Sequence, residues 1–108
     1  LSYYPYWLEG HPDYTLSIND LGSNLSDLVA RYGKEVMIVE VGGEDNQPQN
    51  TYDMLVAAQQ KVKAVPNNKG LGVIYWEPEG ARSWSHYALS AWGDDGRPTK
   101  ALEAFLAP

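Results

Sequence analysis

The feature that most constrains the fold is a short apolar run between two segments of helical period. Residues Val36 to Val39 are all apolar, mostly β-branched, and lead directly into Glu40 and Val41 before a pair of glycines. Such a run is typical of a strand buried on both faces, as in a parallel sheet. We therefore predict a strand over residues 35–41. A parallel partner for it requires a long connection, usually a helix.

The segments on either side fit this arrangement. An aromatic strand is predicted over Leu1 to Trp7, with Pro5 marking its end or a bulge, and a third strand over Leu71 to Trp76. Apolar residues at helical spacing predict two connecting helices. Their stripes are Ile18, Leu21, Leu25, Leu28, Val29 and Tyr32, then Tyr52, Leu55, Val56, Gln59, Val62 and Val65. Gly33 and Pro66 are expected to end these helices.

The last segment predicts a short helix after Pro98. Its apolar face is expected to consist of Ala101, Leu102, Phe105 and Leu106. The whole chain, residues 1–108, is then a single α/β unit of three strand–helix repeats with right-handed crossovers. A closed (β/α)8 barrel takes ~250 residues. We therefore expect an incomplete barrel whose open strand edges need further strands or a second chain, with self-association as one outcome.

Composition excludes several classes of function. The net charge is −6 and no run of Lys or Arg occurs, which argues against nucleic acid and anionic membranes as partners. No apolar run is long enough to span a membrane. The sequence has 4 Trp and 8 Tyr against 1 Phe, a surplus of amphipathic rings that suits sugar binding. A small core that happens to use amphipathic aromatics explains that surplus equally well.

In parallel α/β folds, function gathers where the strands end. Glu40 ends the buried strand, and the first strand ends near Tyr4, Tyr6 and Trp7. A buried carboxylate needs a partner. One interpretation of Glu40 is a structural ion pair with Lys or Arg of a neighbouring strand. The other is a nucleophile or base that tyrosine hydroxyl groups orient.

Trp76 ends the third strand and is predicted either to plug the barrel mouth or to stack under a sugar ring. Glu77 and Glu79 flank Pro78, so we interpret them as loop residues rather than catalytic ones. The residues 94–96 predict a turn. The two histidines, His11 and His86, lie in separate loops without metal-ligand spacing, so no metal site is predicted from them.

Three blocks of the sequence carry a family resemblance. They are Ser2-Tyr3-Tyr4-Pro5-Tyr6-Trp7, Arg31-Tyr32-Gly33-Lys34-Glu35-Val36-Met37-Ile38-Val39-Glu40 and Gly70-Leu71-Gly72-Val73-Ile74-Tyr75-Trp76-Glu77-Pro78. Together they resemble the arabinogalactan endo-β-1,4-galactanases of glycoside hydrolase family 53. The resemblance implies strands six, seven and eight of a (β/α)8 barrel and a retaining mechanism. It implies Glu40 as the catalytic nucleophile. It also implies Tyr4, Trp7 and Trp76 as substrate-binding residues, Tyr4 being a hydroxyl partner of Glu40.

The same resemblance puts the acid/base glutamate after strand four, outside this chain. Since a retaining glycosidase needs two carboxyl groups, we expect the isolated chain to be inactive and its full-length parent to cut β-1,4-galactan or galacto-oligosaccharides. No cofactor is expected. Calcium is the one exception, since bacterial relatives can hold it near the loops after strands seven and eight. Glu44, Asp45 and Asn46 offer oxygen ligands there. A polymeric substrate implies a secreted or periplasmic protein.

Two alternatives stay open at this point. One is a non-catalytic carbohydrate-binding module, in which the aromatic residues bind sugar and no bond is cut. The other is a related barrel glycosidase that acts on another β-glycan. Glu40 separates the first from an enzyme, because a binding surface has no need for a carboxylate at the end of a buried strand. Only the family resemblance argues against the second.

Overall fold

The structure is a computed structural model. It describes residues 1–7 and 13–108, and of Trp7 it describes only the backbone. The strands are β1 (Ser2–Tyr3), β2 (Val36–Ile38), β3 (Glu40–Val41) and β4 (Gly70–Val73). The α-helices are α1 (Ile18–Tyr32), α2 (Pro48–Lys63) and α3 (Arg82–Ser85). Short 3₁₀ helices cover Pro5–Trp7, Tyr14–Leu16, Pro66–Asn68 and Lys100–Leu106.

The strands form parallel pairs in which the middle segment lies between the other two. β1 pairs with β3 and β2 pairs with β4, both in parallel. β2 and β3 are successive pieces of the strand predicted over residues 35–41, interrupted at Val39, whose N–H donates to the Leu1 carbonyl at 2.9 Å. The predicted α/β class with parallel strands is therefore confirmed. The assignment to strands six, seven and eight of a barrel stays a prediction.

Only one face of this sheet is buried, and the prediction of a strand buried on both faces is wrong for the chain described. Ile38 and Val41 are fully buried, whereas Val39 is 42% exposed. Ile74 and Trp76 are exposed in the same way on the last strand segment. The physical reason is that the helices pack on one side of the sheet. Among the described residues, no element covers the other side.

The first helix follows its predicted stripe. Ile18, Leu21, Leu25 and Val29 are its buried residues, while Tyr32 is 66% exposed. Gly33 ends the helix as predicted. It has a left-handed φ of 63°, and its N–H donates to the Val29 carbonyl at 2.8 Å. A glycine adopts this backbone without the cost that a Cβ brings.

The second helix supplies the centre of the core. It begins at Pro48, where a missing N–H costs nothing, and Lys61 and Lys63 in its last turn suit the helix dipole. Met54 and Leu55 are fully buried, and burying a side chain of this size contributes about 1.5–3 kcal/mol. The helix packs against α1, β4 and the C-terminal 3₁₀ helix.

The last helix is 3₁₀ over Lys100–Leu106, and its predicted apolar face is partly wrong. Ala101 and Ala104 are its buried residues, Phe105 is 39% exposed and Leu106 is 85% exposed. Because a 3₁₀ helix has three residues per turn, residues three apart share a face. The prediction assumed the α-helical period and therefore wrongly placed Phe105 and Leu106 on the buried face.

The outer strands are shorter than predicted. β1 ends at Tyr3, and Pro5 begins a 3₁₀ turn, so the aromatic segment is a strand only at its start. Beyond β4, the N–H groups of Ile74 and Trp76 still donate to the carbonyls of Ile38 and Val41, at 2.8 and 2.9 Å.

Within the described ranges, no helix has the length and apolar character needed to cross a membrane.

Candidate active site

Glu40 and Tyr4 meet at the carboxyl end of the two neighbouring strands. Glu40 begins β3 and is paired with Ser2 of β1. Tyr4 comes two residues after Ser2, and this brings its side chain next to Glu40. The Tyr4 hydroxyl donates to Glu40 Oε2 at 3.0 Å. Among the described residues, the ion pairs are Asp27–Arg31 and Asp45–Arg82, and neither involves Glu40. The structural interpretation of Glu40 as half of an ion pair therefore gains no support here.

Tyr4 is held in its neutral, donating form. Burial is the largest cause that raises its pKa above the usual value, and the hydrogen bond to Glu40 raises this pKa further. A neutral phenol beside a carboxylate donates its proton to one oxygen and leaves the other oxygen available. The pair thus presents an oriented carboxylate at the end of the strand.

Tyr87 is a third member of this cluster, and sequence analysis did not select it. Burial raises the pKa of both tyrosines, and the interaction between their side chains raises the pKa of Tyr4 further while it lowers that of Tyr87. Tyr87 also packs against the backbone just after β3, since a Cβ on Gly42 would lie 3.1 Å from the Tyr87 hydroxyl oxygen. Tyr87 belongs to a long aromatic loop and lies 47 positions after Glu40. No local periodicity links them.

Tyr75 fixes the backbone around the cluster. This side chain is buried, its hydroxyl donates to the Leu89 carbonyl at 2.7 Å, and it accepts from the Gly43 N–H at 3.1 Å. A third connection follows nearby, where the Asp45 N–H donates to the Ala88 carbonyl at 2.9 Å. The loop after β3 and the loop that carries Tyr87 are therefore held together on one side of Glu40.

Trp76 lies at the same end of the sheet. Its backbone N–H donates at 2.9 Å to the carbonyl of Val41, the residue after Glu40. Trp76 is 47% exposed. The next residue, Glu77, has a left-handed φ of 44°. This conformation costs a non-glycine residue about 1–2 kcal/mol, and it turns the chain sharply after Trp76. An exposed aromatic face beside a carboxylate is suited to stacking on a sugar ring.

The remaining predicted residues have simpler outcomes. The Trp7 backbone ends the 3₁₀ helix Pro5–Trp7, but its side chain lies outside the described part, so its binding role stays a prediction. His11 also lies outside the described residues. His86 is exposed and ends α3 in a left-handed conformation. The predicted turn at 94–96 is present, with the Arg97 N–H donating to Asp95 Oδ1 at 3.0 Å.

A groove runs beside Tyr87 between the two loops. Its lining residues are Tyr6, Glu44, Asn46, Arg82, Tyr87, Ala88 and Leu89. Arg82 closes one side through two hydrogen bonds to Asp45, at 2.8 and 3.1 Å. Polar side chains and two tyrosine rings both line the groove. Amphipathic rings of this kind can contact the apolar face of a sugar while polar groups accept or donate to its hydroxyls.

The three residues predicted as calcium ligands lie in this region, and two of them already have protein partners. Asp45 pairs with Arg82, and Glu44 accepts a hydrogen bond from Gln47 Nε2 at 3.1 Å. No cluster of three or more His, Cys, Asp or Glu side chains suited to a metal occurs within residues 1–7 and 13–108. Calcium binding at Glu44, Asp45 and Asn46 stays a prediction.

Comparison with protein families identifies the family of this chain. The family model described as Glycosyl hydrolase family 53 matches residues 1–105. The chain belongs to glycosyl hydrolase family 53. This is a family of barrel enzymes, which agrees with the parallel α/β arrangement of the strands. It confirms the resemblance noted from the three sequence blocks.

Two relatives carry the same enzyme name. The chain is 33% identical to "Arabinogalactan endo-beta-1,4-galactanase" of Cellvibrio japonicus (strain Ueda107), over 98% of this chain and 34% of that protein. It is 27% identical to "Arabinogalactan endo-beta-1,4-galactanase" of Humicola insolens, over 82% of this chain and 28% of that protein. The chain thus spans about a third of the length of these relatives.

Proposed function

We propose that this chain supplies the nucleophile half of a retaining endo-β-1,4-galactanase. Glu40 is the nucleophile, Tyr4 orients its carboxylate, and Trp76 and Trp7 bind the sugar. The observation that carries the proposal is the 3.0 Å hydrogen bond from Tyr4 to Glu40 at the carboxyl ends of parallel strands. Membership of family 53 and the names of the two relatives support galactan as the substrate.

The chemistry needs one lone pair from Glu40 and one proton from elsewhere. The free oxygen of Glu40 attacks the anomeric carbon and forms a glycosyl ester as the glycosidic C–O bond breaks. A carboxylic acid about 5–5.5 Å away protonates the departing oxygen. That group, now a carboxylate, removes a proton from water, and the hydroxide equivalent displaces Glu40. The anomeric carbon of the product therefore has the same configuration as in the substrate, and Glu40 is again a free carboxylate.

The proton donor defines what a working enzyme must contain. The resemblance puts it after strand four, and this chain spans about a third of its relatives. We call the protein that joins this chain to the remaining barrel strands the complete protein. The proposal is that the complete protein hydrolyses galactan outside the cytoplasm, in the periplasm or after secretion. The isolated chain is proposed to be inactive, because one carboxyl group cannot perform both roles.

A second function differs from the first only in the substrate. A related barrel glycosidase that cuts another β-glycan would use the same carboxylate, tyrosine and tryptophan, since their geometry contains no element specific to galactose. A pure carbohydrate-binding module is less well supported, because it leaves the oriented carboxylate without a purpose.

The test uses the complete protein with linear β-1,4-galactan, comparing wild type, Glu40→Ala and Glu40→Gln. We expect wild-type cleavage, loss of cleavage in both variants, and recovery of Glu40→Ala by azide with a glycosyl azide product. Azide enters the space left by the carboxylate and attacks the same carbon, so the product identifies the nucleophile. Binding of galacto-oligosaccharides should survive in Glu40→Gln.

Each other result has a definite meaning. Full activity in Glu40→Ala would make Glu40 a structural residue and end the proposal. Cleavage of a different β-glycan by the wild type would keep the mechanism and replace the substrate. Binding without any cleavage by the wild type would establish the binding module.

A further inference from the structure

Arg82 and Asp45 form an ion pair across the two loops that border the groove beside Tyr87. Asp45 lies in the loop after β3, and Arg82 is the first residue of α3. Arg82 Nε donates to Asp45 Oδ2 at 3.1 Å, and Arg82 Nη2 donates to Asp45 Oδ1 at 2.8 Å. Because both carboxylate oxygens contact the planar guanidinium, they fix its orientation as well as its place.

The two loops have other connections that do not involve this ion pair. The Asp45 N–H donates to the Ala88 carbonyl at 2.9 Å, and the buried Tyr75 hydroxyl joins the same loops through contacts of 2.7 and 3.1 Å. The short helix α3 is held separately, since the Ser83 N–H donates to Asp94 Oδ1 at 3.1 Å. The ion pair is therefore redundant for joining the loops, which favours a role at the groove itself.

The two members of the pair differ in exposure as a binding group differs from its support. The Asp45 side chain is 13% exposed, whereas that of Arg82 is 54% exposed and lines the groove. A guanidinium has more N–H donors than the two that the contacts with Asp45 use. The oriented Arg82 side chain can therefore donate further hydrogen bonds to a ligand in the groove.

The groove has the size and the place of a site for sugar units beside the reacting one. Its volume is about 700 Å³, within the range of about 300–1,000 Å³ for small-molecule sites. Its wall reaches the backbone just after Glu40, since a Cβ on Gly42 would lie 3.1 Å from the Tyr87 hydroxyl oxygen. Donors beside tyrosine rings suit a hydroxylated chain that extends from Glu40.

We propose that Arg82 is a sugar-binding residue, which donates hydrogen bonds to the hydroxyl groups of a sugar unit in the groove, and that Asp45 is the positioning residue that orients its guanidinium. This inference rests on the proposed function for the class of substrate. It adds a binding position away from the reacting unit, where Tyr4 and Trp76 are proposed to act.

The test is a kinetic series in the complete protein, with oligosaccharides of increasing length from whichever β-glycan the wild type cuts. All assays share one calcium concentration, because Asp45 is also a predicted calcium ligand. Arg82→Lys keeps a charge that can pair with Asp45 but loses the planar fork. It is expected to raise KM about 3- to 10-fold on the longest substrates, the range for loss of one hydrogen bond, with kcat changed less than about twofold. The increase should be smallest on substrates too short to reach the groove.

Asp45→Asn should raise KM with the same dependence on length, because the guanidinium loses part of its support. The double variant should show less than the product of the two effects, since Asp45 acts through Arg82. The matched control is Arg31→Lys, in an ion pair with Asp27 that is also 2.8 Å long and has both side chains more than half exposed. It should leave kcat and KM unchanged at every length.

Thermal unfolding of each variant separates a structural role from a binding role. If Arg82→Lys lowers the melting temperature and leaves KM unchanged at every length, the pair is structural and the inference is overturned. A KM increase of the same size at every length, or two effects that multiply in the double variant, would overturn it as well.

A second measurement does not depend on cleavage. Isothermal titration calorimetry on the complete protein with Glu40→Gln measures binding of the longest oligosaccharide, and adding Arg82→Lys should weaken this binding about 3- to 10-fold. Unchanged affinity would contradict the proposed role of Arg82. The azide experiment on Glu40→Ala reports separately on the proposed function. A failure of azide rescue therefore counts against that function, and an unchanged KM in Arg82→Lys counts against Arg82 alone.

Discussion

At the scale of single residues, Tyr75 shows how one buried hydroxyl can arrange a site that it does not belong to. It joins the Gly43 N–H to the Leu89 carbonyl, two backbone groups from different loops. Both groups are expected to stay unpaired if the hydroxyl is removed. A buried polar group without a partner costs about 1–3 kcal/mol, so the hydroxyl stabilises both loops beside Glu40.

Tyr75→Phe in the complete protein is therefore expected to lower the free energy of unfolding by about 1–3 kcal/mol near neutral pH. Burial raises the pKa of Tyr75 above its reference value of 10.0. A raised folded-state pKa gives stability that is present below the unfolded pKa and is lost as pH rises toward the folded one. The stability difference between wild type and variant should therefore shrink as pH rises above 10.0.

Denaturant unfolding at several pH values between about 8 and 11 measures this difference. Tyr32→Phe is the control and should match the wild type throughout, because its ring is 66% exposed. A difference that stays constant across the whole range would contradict the ionisation argument while leaving the hydrogen bonds in place.

A second prediction for single residues concerns the stability effect of replacing Gly70. A Cβ on Gly70 would lie 2.0 Å from the Val62 carbonyl oxygen, so Gly70→Ala must push β4 away from the end of α2. We expect destabilisation of about 1–3 kcal/mol or more from this overpacking. Gly33→Ala meets open space but has a φ of 63°, so about 1–2 kcal/mol from backbone strain alone is expected.

Thermal or denaturant unfolding of the two variants separates these causes. The close approach would be contradicted by a Gly70→Ala protein as stable as the wild type. The Gly33 comparison also tests the helix end, since a Gly33→Asn variant should recover part of the loss because Asn tolerates the left-handed region.

At the scale of elements, the C-terminal 3₁₀ helix depends on its period of three. Ala101 and Ala104 face α2, and Gln59 Nε2 donates to the Ala104 carbonyl at 2.9 Å. Small side chains allow this close packing. The period also explains why Phe105 and Leu106 point away, although they are the larger apolar residues.

Ala104→Leu in the complete protein is expected to lower the free energy of unfolding by about 1–3 kcal/mol, because a fully buried methyl position has no room for three more carbons. Leu106→Ala removes a side chain that is 85% exposed, and about 0.5 kcal/mol or less is expected. Chemical denaturation of both variants compares them directly. The reverse order of effects would mean that the helix packs by the α-helical period instead.

At the scale of the whole molecule, the sheet has open edges and one open face. Within the described residues, β1 pairs on one side with β3, and β4 pairs on one side with β2. Val39, Ile74 and Trp76 leave apolar surface exposed on the same sheet. Unpaired edges of this kind are templates for pairing with another chain.

The isolated chain of 108 residues is therefore expected to self-associate in solution. Analytical ultracentrifugation over a range of concentrations measures this. Leu71→Lys, which changes a residue that is 57% exposed on β4, should reduce association because a charge on an edge strand disfavours pairing. A sharp monomeric species with cooperative unfolding would contradict the expectation.

The sequence by itself determined the succession of elements, because that succession follows from local pattern. The period of apolar residues located α1 and α2, Gly33 located the end of the first helix, and the β-branched run located the middle strand with Glu40 at its end. Each depends on neighbours a few positions apart. The family membership also followed from three local blocks, which the family match over residues 1–105 confirms.

Only the tertiary structure decided which groups meet around Glu40. Tyr4 is 36 positions away in the chain, and Tyr87 comes from a loop whose path depends on Tyr75 and on backbone contacts with the loop after β3. The buried side of the sheet and the 3₁₀ form of the last helix were decided in the same way. Such contacts depend on how separate elements pack, and the local periodicity of a sequence carries no record of that packing.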